Sequence, residues 1–174
     1  LPNWCENTVR ISGSEEDIKK LMELITDEFD FDKILSLPPE LKGFTRPVDI
    51  ITEAQFKEQE KRYEVWKNAS KEEREEKKLG SWFIRGMTKK MEKRFLADYG
   101  ATNWYDWCVN NWGVKWSASD VVCKAYDCDV DFSFMTPWSP PTGIYNKLVE
   151  LFPNISISWL YNEPGMELAG YLPD

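Results

Sequence analysis

Between Asp120 and Thr136 apolar residues recur at every second position, broken only at Asp127-Cys128. That pattern around a polar break predicts an antiparallel hairpin. Val121, Cys123 and Ala125 share its inner face with Val130, Phe132 and Phe134, and Lys124 faces Asp131 on the outer face as an opposite-charge pair. A half-buried hairpin must lay its apolar face on something, and the flanking segments supply the cover. Upstream, Glu6–Ser12 alternates, with Val9 and Ile11 on one side and Thr8 and Arg10 on the other. Gly13 ends that strand. Ser14 is a good N-cap, Glu15, Glu16 and Asp17 fill a first helical turn where the macrodipole favours acids, and Ile18, Leu21, Met22 and Ile25 follow at helical spacing. Downstream, Ser139-Pro140 fits the N-cap and N1 positions of a helix bearing Ile144, Leu148, Val149 and Leu151. Ile155–Tyr161 alternates again, and Glu163-Pro164-Gly165 turns into a short last strand, Met166–Tyr171.

The order is βαββαβ plus one C-terminal strand, which predicts an α+β, ferredoxin-like sheet. No iron–sulfur cysteine spacing accompanies it. The chain reads as one domain over residues 1–174. Residues 1–36 and 117–174 form the sheet and its helices, and residues 37–116 form a long, mostly helical insertion between the first helix and the second strand. Within the insertion, Thr52-x-x-Gln55 and Ser70-x-x-Glu73 are capping boxes. Leu79-Gly80 reads as a helix stop. A further helix spans about Met87–Tyr99 before Gly100, and an aromatic one Asn103–Trp112 before Gly113.

The 174 residues include no histidine, which removes Ser-His-Asp and Cys-His catalysis and any His-containing metal site. Cys5, Cys108, Cys123 and Cys128 are expected as free thiols, because a chain this long buries roughly 70% of its unfolded surface without covalent staples. No apolar run nears the ~20 residues that span a bilayer, and the first residues lack a signal-peptide pattern. A cytoplasmic protein without membrane contact, a monomer or weak dimer, is the expectation. Net charge is −8, unevenly spread: residues 1–51 carry −5, 52–79 none, 80–116 +3, and 117–174 −6. A polyanion could be met only by the middle.

Four segments then carry a resemblance: Pro2-Asn3-Trp4-Cys5-Glu6-Asn7, Asn111-Trp112-Gly113-Val114-Lys115-Trp116, Pro137-Trp138-Ser139-Pro140-Pro141 and Tyr161-Asn162-Glu163-Pro164-Gly165. Together they resemble the YubB-type ferredoxin-like domain family of plasmid- and phage-borne bacterial proteins. Leu1 stands where that family would begin with Met. The resemblance implies a mobile genetic element as origin and supplies no catalytic roles to carry over.

A candidate binding surface comprises Trp4, Trp104, Trp107, Trp112, Trp116, Trp138, Tyr161 and Glu163. Arg85, Lys89, Lys90, Lys93 and Arg94 form a candidate basic patch for nucleic acid or an acidic protein. The aromatic–basic pattern of an RNA-recognition sheet is absent. The edge predicted to gather the start of the first strand, the hairpin turn and the last turn would unite Trp4, Cys5, Glu6, Asp127, Cys128, Asp129 and Glu163. It lacks a CxxC spacing, and no metal or cofactor is expected. The same topology puts both helix starts on the opposite edge and separates Trp138 from Glu163. The leading expectation is a non-catalytic protein that binds a host or phage protein. The alternatives are a carboxylate-dependent enzyme near Glu163, nucleic-acid binding through the insertion, and nucleic-acid mimicry by the acidic face.

Overall fold

The computed structural model describes residues 2–173; Leu1 lies outside them. The chain divides into two compact units, residues 1–36 with 108–174, and residues 37–107.

The first unit is a ferredoxin-like sheet of five antiparallel strands in the order β2-β3-β1-β4-β5. Its elements are β1 (Trp4–Ser12), α1 (Glu15–Ile25), a one-turn helix α2 (Phe31–Ile34), β2 (Ser119–Ala125), β3 (Asp129–Pro137), α7 (Thr142–Leu151), β4 (Ser156–Glu163) and β5 (Leu168–Leu172). In β1, Cys5, Asn7, Val9 and Ile11 are buried while Trp4, Glu6, Thr8 and Arg10 are exposed, the period-two pattern of a sheet covered on one face. The covered face packs Phe29, Phe132, Phe134 and Trp159, with ring centroids 4.7–5.8 Å apart, under Ile18, Leu21 and Ile25 of α1 and Ile144 and Leu148 of α7.

The hairpin forms in the expected register, Lys124 opposite Asp131. Asp131 nevertheless bonds across its other neighbour, accepting from Arg10 Nε and Nη2 at 2.6 and 2.7 Å. A register shift between Ser119 and Val122, with Asp120 at φ +52°, interrupts the start of β2; from Val122 on the pairing is regular, and Ala125 faces the same side as its buried partner Val130 but stays exposed at the end of this edge strand. The C-terminal helix begins at Thr142, not at Pro140. The Ser139 hydroxyl donates to the Gly113 carbonyl at 3.2 Å, so it serves the end of the preceding helix instead of capping the next.

The second unit contains α3 (Glu53–Asn68), α4 (Lys71–Glu76), α5 (Lys89–Tyr99) and the start of α6 (Trp104–Trp112). The boundary falls inside α6, so residues 108–116, read from sequence as insertion, belong to the sheet unit. There Trp112 donates its indole N–H to the Leu35 carbonyl at 2.8 Å and packs edge-on to Phe31. Both capping boxes form. The stop after α4 comes at Lys78, which takes φ +53° while the Leu79 N–H bonds back to the Arg74 carbonyl, two residues before Gly80.

Helix α3 is charged nearly all round and buries one side chain, Gln59. Its amide closes two bonds with buried Gly86, Nε2 to the carbonyl at 2.8 Å and Oε1 from the N–H at 2.7 Å. Gln59→Leu strands both backbone groups, each costing ~1–3 kcal/mol. Denaturant unfolding is expected to show a loss of about 2–4 kcal/mol in the helical unit; a loss below ~0.5 kcal/mol would show that α3 docks by other means.

Candidate functional site

Strand register decides which residues meet. Trp4 of β1 faces Pro137 of β3, and Glu6 faces Asn162 of β4. The Trp138 N–H then donates to the Asn3 carbonyl at 2.9 Å. The start of β1 and the ends of β3 and β4 therefore share one end of the sheet, and Trp138 and Glu163 lie at the same end, contrary to the sequence expectation. Cys128 sits at the other end, where its carbonyl accepts from the Gly13 N–H. The expected grouping of Cys5 with Asp127, Cys128 and Asp129 does not form, because an antiparallel hairpin opens opposite the end of β1, with Asp129 facing Ser12. The helix starts are separated likewise: α1 begins beside the end of β1, α7 beside the end of β3. Among the described residues no three potential metal ligands gather.

The shared end has two layers. The buried layer is a polar chain. Asn7 Nδ2 donates to the Thr136 hydroxyl at 2.8 Å and to the Cys5 carbonyl at 3.1 Å, and Asn7 Oδ1 accepts from the Trp159 indole at 3.0 Å. Thr136 in turn donates to the Ser139 carbonyl at 2.7 Å. Burial pushes the Cys5 thiol up to about 11, against a hydrogen bond with Thr136 that lowers it. Glu163 is buried too. Its carboxylate accepts from the N–H groups of Gly165 at 3.1 Å and Met166 at 2.6 Å, closing the single turn Pro164–Met166. A Cβ on Gly165 would lie 2.9 Å from Glu163 Oε1 and would press on the Asn3 amide, so glycine lets these groups close together. No buried side-chain nitrogen or oxygen among the described residues lacks a partner. This layer is built to hold the turns.

The outer layer is aromatic. Trp4, Trp116 and Trp138 are 37, 41 and 45% exposed. Trp4 and Trp116 lie 6.4 Å apart with rings tilted by 39°, and the Lys115 ammonium stands 4.3 Å above the Trp116 ring. Trp138 holds φ +70°, a left-handed conformation that glycine or asparagine would take without cost.

The other candidates are dispersed. Trp107 and Trp112 are buried and leave the candidate surface, because the helix that carries them turns those faces inward. Trp104 is half-buried beside Trp82, Tyr105 and Arg46 around a hollow of 480 Å³ in the helical unit. Tyr161 is half-buried on the covered sheet face, close over Gly170. The basic run splits. Arg85 pairs with Glu60 at 2.5 Å and lies over Phe44 and Tyr63, and Arg94 pairs with Glu40, leaving Lys89, Lys90 and Lys93 along α5.

Sequence reasoning missed the role of Asn7, although a signal was present: it is the polar residue on the face shared by Cys5, Val9 and Ile11. Thiol chemistry checks the layering. Iodoacetamide at pH 8 is expected to label Cys128, which is exposed, at least tenfold faster than Cys5 or Cys108, which are buried. Rapid labelling of Cys5 in folded protein would mean that this end opens. The raised thiol also sets a sign. The folded state holds the proton longer than the unfolded one, so the Cys5 contribution is complete below the ordinary thiol value of 9.0 and is lost as pH climbs toward about 11.

No helix among the described residues is long and apolar enough to cross a membrane. No curated protein matches the chain. The family model described as a ferredoxin-like domain in Api92-like protein matches residues 111–172, from the end of α6 through β5. The crystal structure of a protein api92 from Yersinia pseudotuberculosis superposes with a TM-score of 0.54 at 14% identity, covering 98% of this chain and 93% of that one. Residues 111–172 are thus similar to the ferredoxin-like domain of Api92-like proteins, and the chain shares the fold of that structure.

Proposed function

We propose that the chain is a non-catalytic binding protein of a plasmid or phage, and that it grips a host or phage protein with the sheet end bearing Trp4, Trp116 and Trp138. One observation carries the reading. An exposed tryptophan is kept at φ +70° on Trp138, where the backbone alone costs about 1–2 kcal/mol against glycine. None of the buried layer's hydrogen bonds uses that indole, and exposed tryptophans are the side chains that anchor interfaces. The charge of the unit suggests the partner's chemistry. Residues 1–36 and 108–174 hold 17 acidic and 7 basic residues, a net of −10, against +2 for residues 37–107. A basic protein surface fits, and nucleic acid does not.

Trp138→Gly is expected to cost no more than about 2 kcal/mol, since relief of the left-handed strain offsets much of the lost burial of the indole's covered half. Tagged wild-type protein is expected to retain one basic protein from bacteria carrying the element, at moderate salt. The Trp4→Ala/Trp138→Gly variant should lose it while remaining folded at the temperature of the assay. Equal retention by the variant would sink the proposal, as would a Trp138→Gly protein that unfolds.

A further inference from the structure

The helical unit sorts its charges in a way the sequence hides. Residues 52–79 hold eight acidic and eight basic side chains. Two hollows of 670 and 450 Å³ open along the second half of α3, α4 and residues 78–83, and both are lined by Lys78. Five of the eight bases, Lys61, Arg62, Lys71, Arg74 and Lys78, line them, but only one of the eight acids, Glu75. Some of the other acids are engaged elsewhere. Glu73 folds back to the Ser70 N–H at 2.8 Å, and Glu60 holds Arg85. Lys61 makes only a 3.9 Å contact with Glu58, both side chains largely exposed.

The floor is apolar: Val65, Trp66, Leu79 and Phe83. Its central ring is fixed in place. Trp66 stacks on Tyr63 at 6.1 Å, carries the Arg74 guanidinium at 4.0 Å, and donates its indole N–H to the Gly80 carbonyl at 3.4 Å. Arg74 Nε also bonds to the Trp66 carbonyl at 3.0 Å, so the cation is held over the groove.

The pair of hollows is lined by five cations against one carboxylate, and three of the cations, Lys61, Arg62 and Lys78, line the 450 Å³ hollow whose floor is apolar. We propose that the pair docks an acidic amphipathic segment of a partner protein, with aliphatic side chains on Val65 and Leu79 and carboxylates among Lys61, Arg62, Lys71 and Lys78. A protein segment fits better than nucleic acid. Tyr63 and Arg74 already engage the Trp66 ring that a base would stack on, whereas the exposed Val65 offers aliphatic surface. The two units would then carry docking surfaces of opposite electrostatic preference.

The test uses the full chain and a fluorescein-labelled helical peptide of glutamate and leucine, read by anisotropy. Two controls accompany it: the same peptide with lysine for glutamate, and a single-stranded oligonucleotide. The glutamate–leucine peptide is expected to bind at least about tenfold more tightly than either control. Arg62→Glu/Lys78→Glu should weaken it at least about tenfold, and Val65→Ser about threefold, while Lys89→Glu/Lys93→Glu on α5 leaves it within about twofold. Unaltered circular dichroism and melting keep these comparisons valid. The proposal is overturned if the groove reversal changes nothing, if the α5 reversal abolishes binding, or if the oligonucleotide binds more tightly than the peptide.

Discussion

Trp159→Ala is expected to cost the sheet unit about 3–5 kcal/mol, enough to leave it largely unfolded at 37 °C if its total stability lies near the low end of the usual ~5–15 kcal/mol. Trp159 is fully buried in β4, with Phe29, Phe134 and Tyr145 around it at 5.7–6.0 Å. Alanine leaves a cavity between sheet and helices that these rings, fixed by their own backbones, cannot fill. The indole is also the donor that satisfies Asn7 Oδ1 at 3.0 Å. Trp159→Phe separates the two effects. It keeps most of the volume, leaves Asn7 Oδ1 without that donor, and should cost about 1–3 kcal/mol. A double-mutant cycle with Asn7→Ala should be non-additive, since both substitutions break one bond. Chemical denaturation followed by near-ultraviolet circular dichroism measures the wild type and these four variants. A loss under ~1 kcal/mol for Trp159→Ala would show that the core is centred elsewhere.

Gly143→Ala is expected to reverse the ordinary rule for helices. Alanine normally stabilises a helical position by ~1 kcal/mol over glycine. Here the new Cβ would fall onto the backbone carbonyl of Asn111, with the Asn111 carbonyl carbon 2.7 Å away and that of Trp112 at 3.2 Å. These are main-chain atoms of α6 that cannot rotate aside, so α6 and α7 would have to separate. The Trp112–Leu35 and Ser139–Gly113 hydrogen bonds depend on that approach. The expected cost is at least ~3 kcal/mol, beyond the usual range for overpacking against a side chain. Thermal melting reads it, and slowed hydrogen exchange at Trp112 in the wild type should be lost. Gly100→Ala serves as the contrasting case. Nothing lies within 4 Å of its Cβ, and its cost comes from φ +69° alone, about 1–2 kcal/mol.

Much of the local structure was legible. The strand and helix at the start, both capping boxes, the glycine stops at Gly100 and Gly113, and the Lys124–Asp131 register all stand in the structure where residue patterns place them. The start of α7 was misread, because Ser139 has two possible bonding partners and the one it takes, Gly113, is 26 residues away. The turn at Lys78 was misread because glycine two residues later carries the stronger signal, while the bond from Leu79 to Arg74 closes the helix first. Of the candidate site, the motif residues were identified, but not their division into a satisfied buried layer and an exposed aromatic one.

What the sequence determined by itself was the set of elements and their order, and through that order the ferredoxin-like sheet. Caps and periodicities are bonds and faces within about four residues, and they need no partner to be read. Tertiary structure alone decided three things. It chose which strand ends meet, bringing Trp138 and Glu163 to one end. It decided which tryptophans are buried, taking Trp107 and Trp112 inward and leaving Trp4, Trp116 and Trp138 outside. It also sorted the neutral charges of residues 52–79 into a cationic groove and the remaining surface. Each of these depends on register or on a distant neighbour, and burial belongs to the packed arrangement rather than to any residue type.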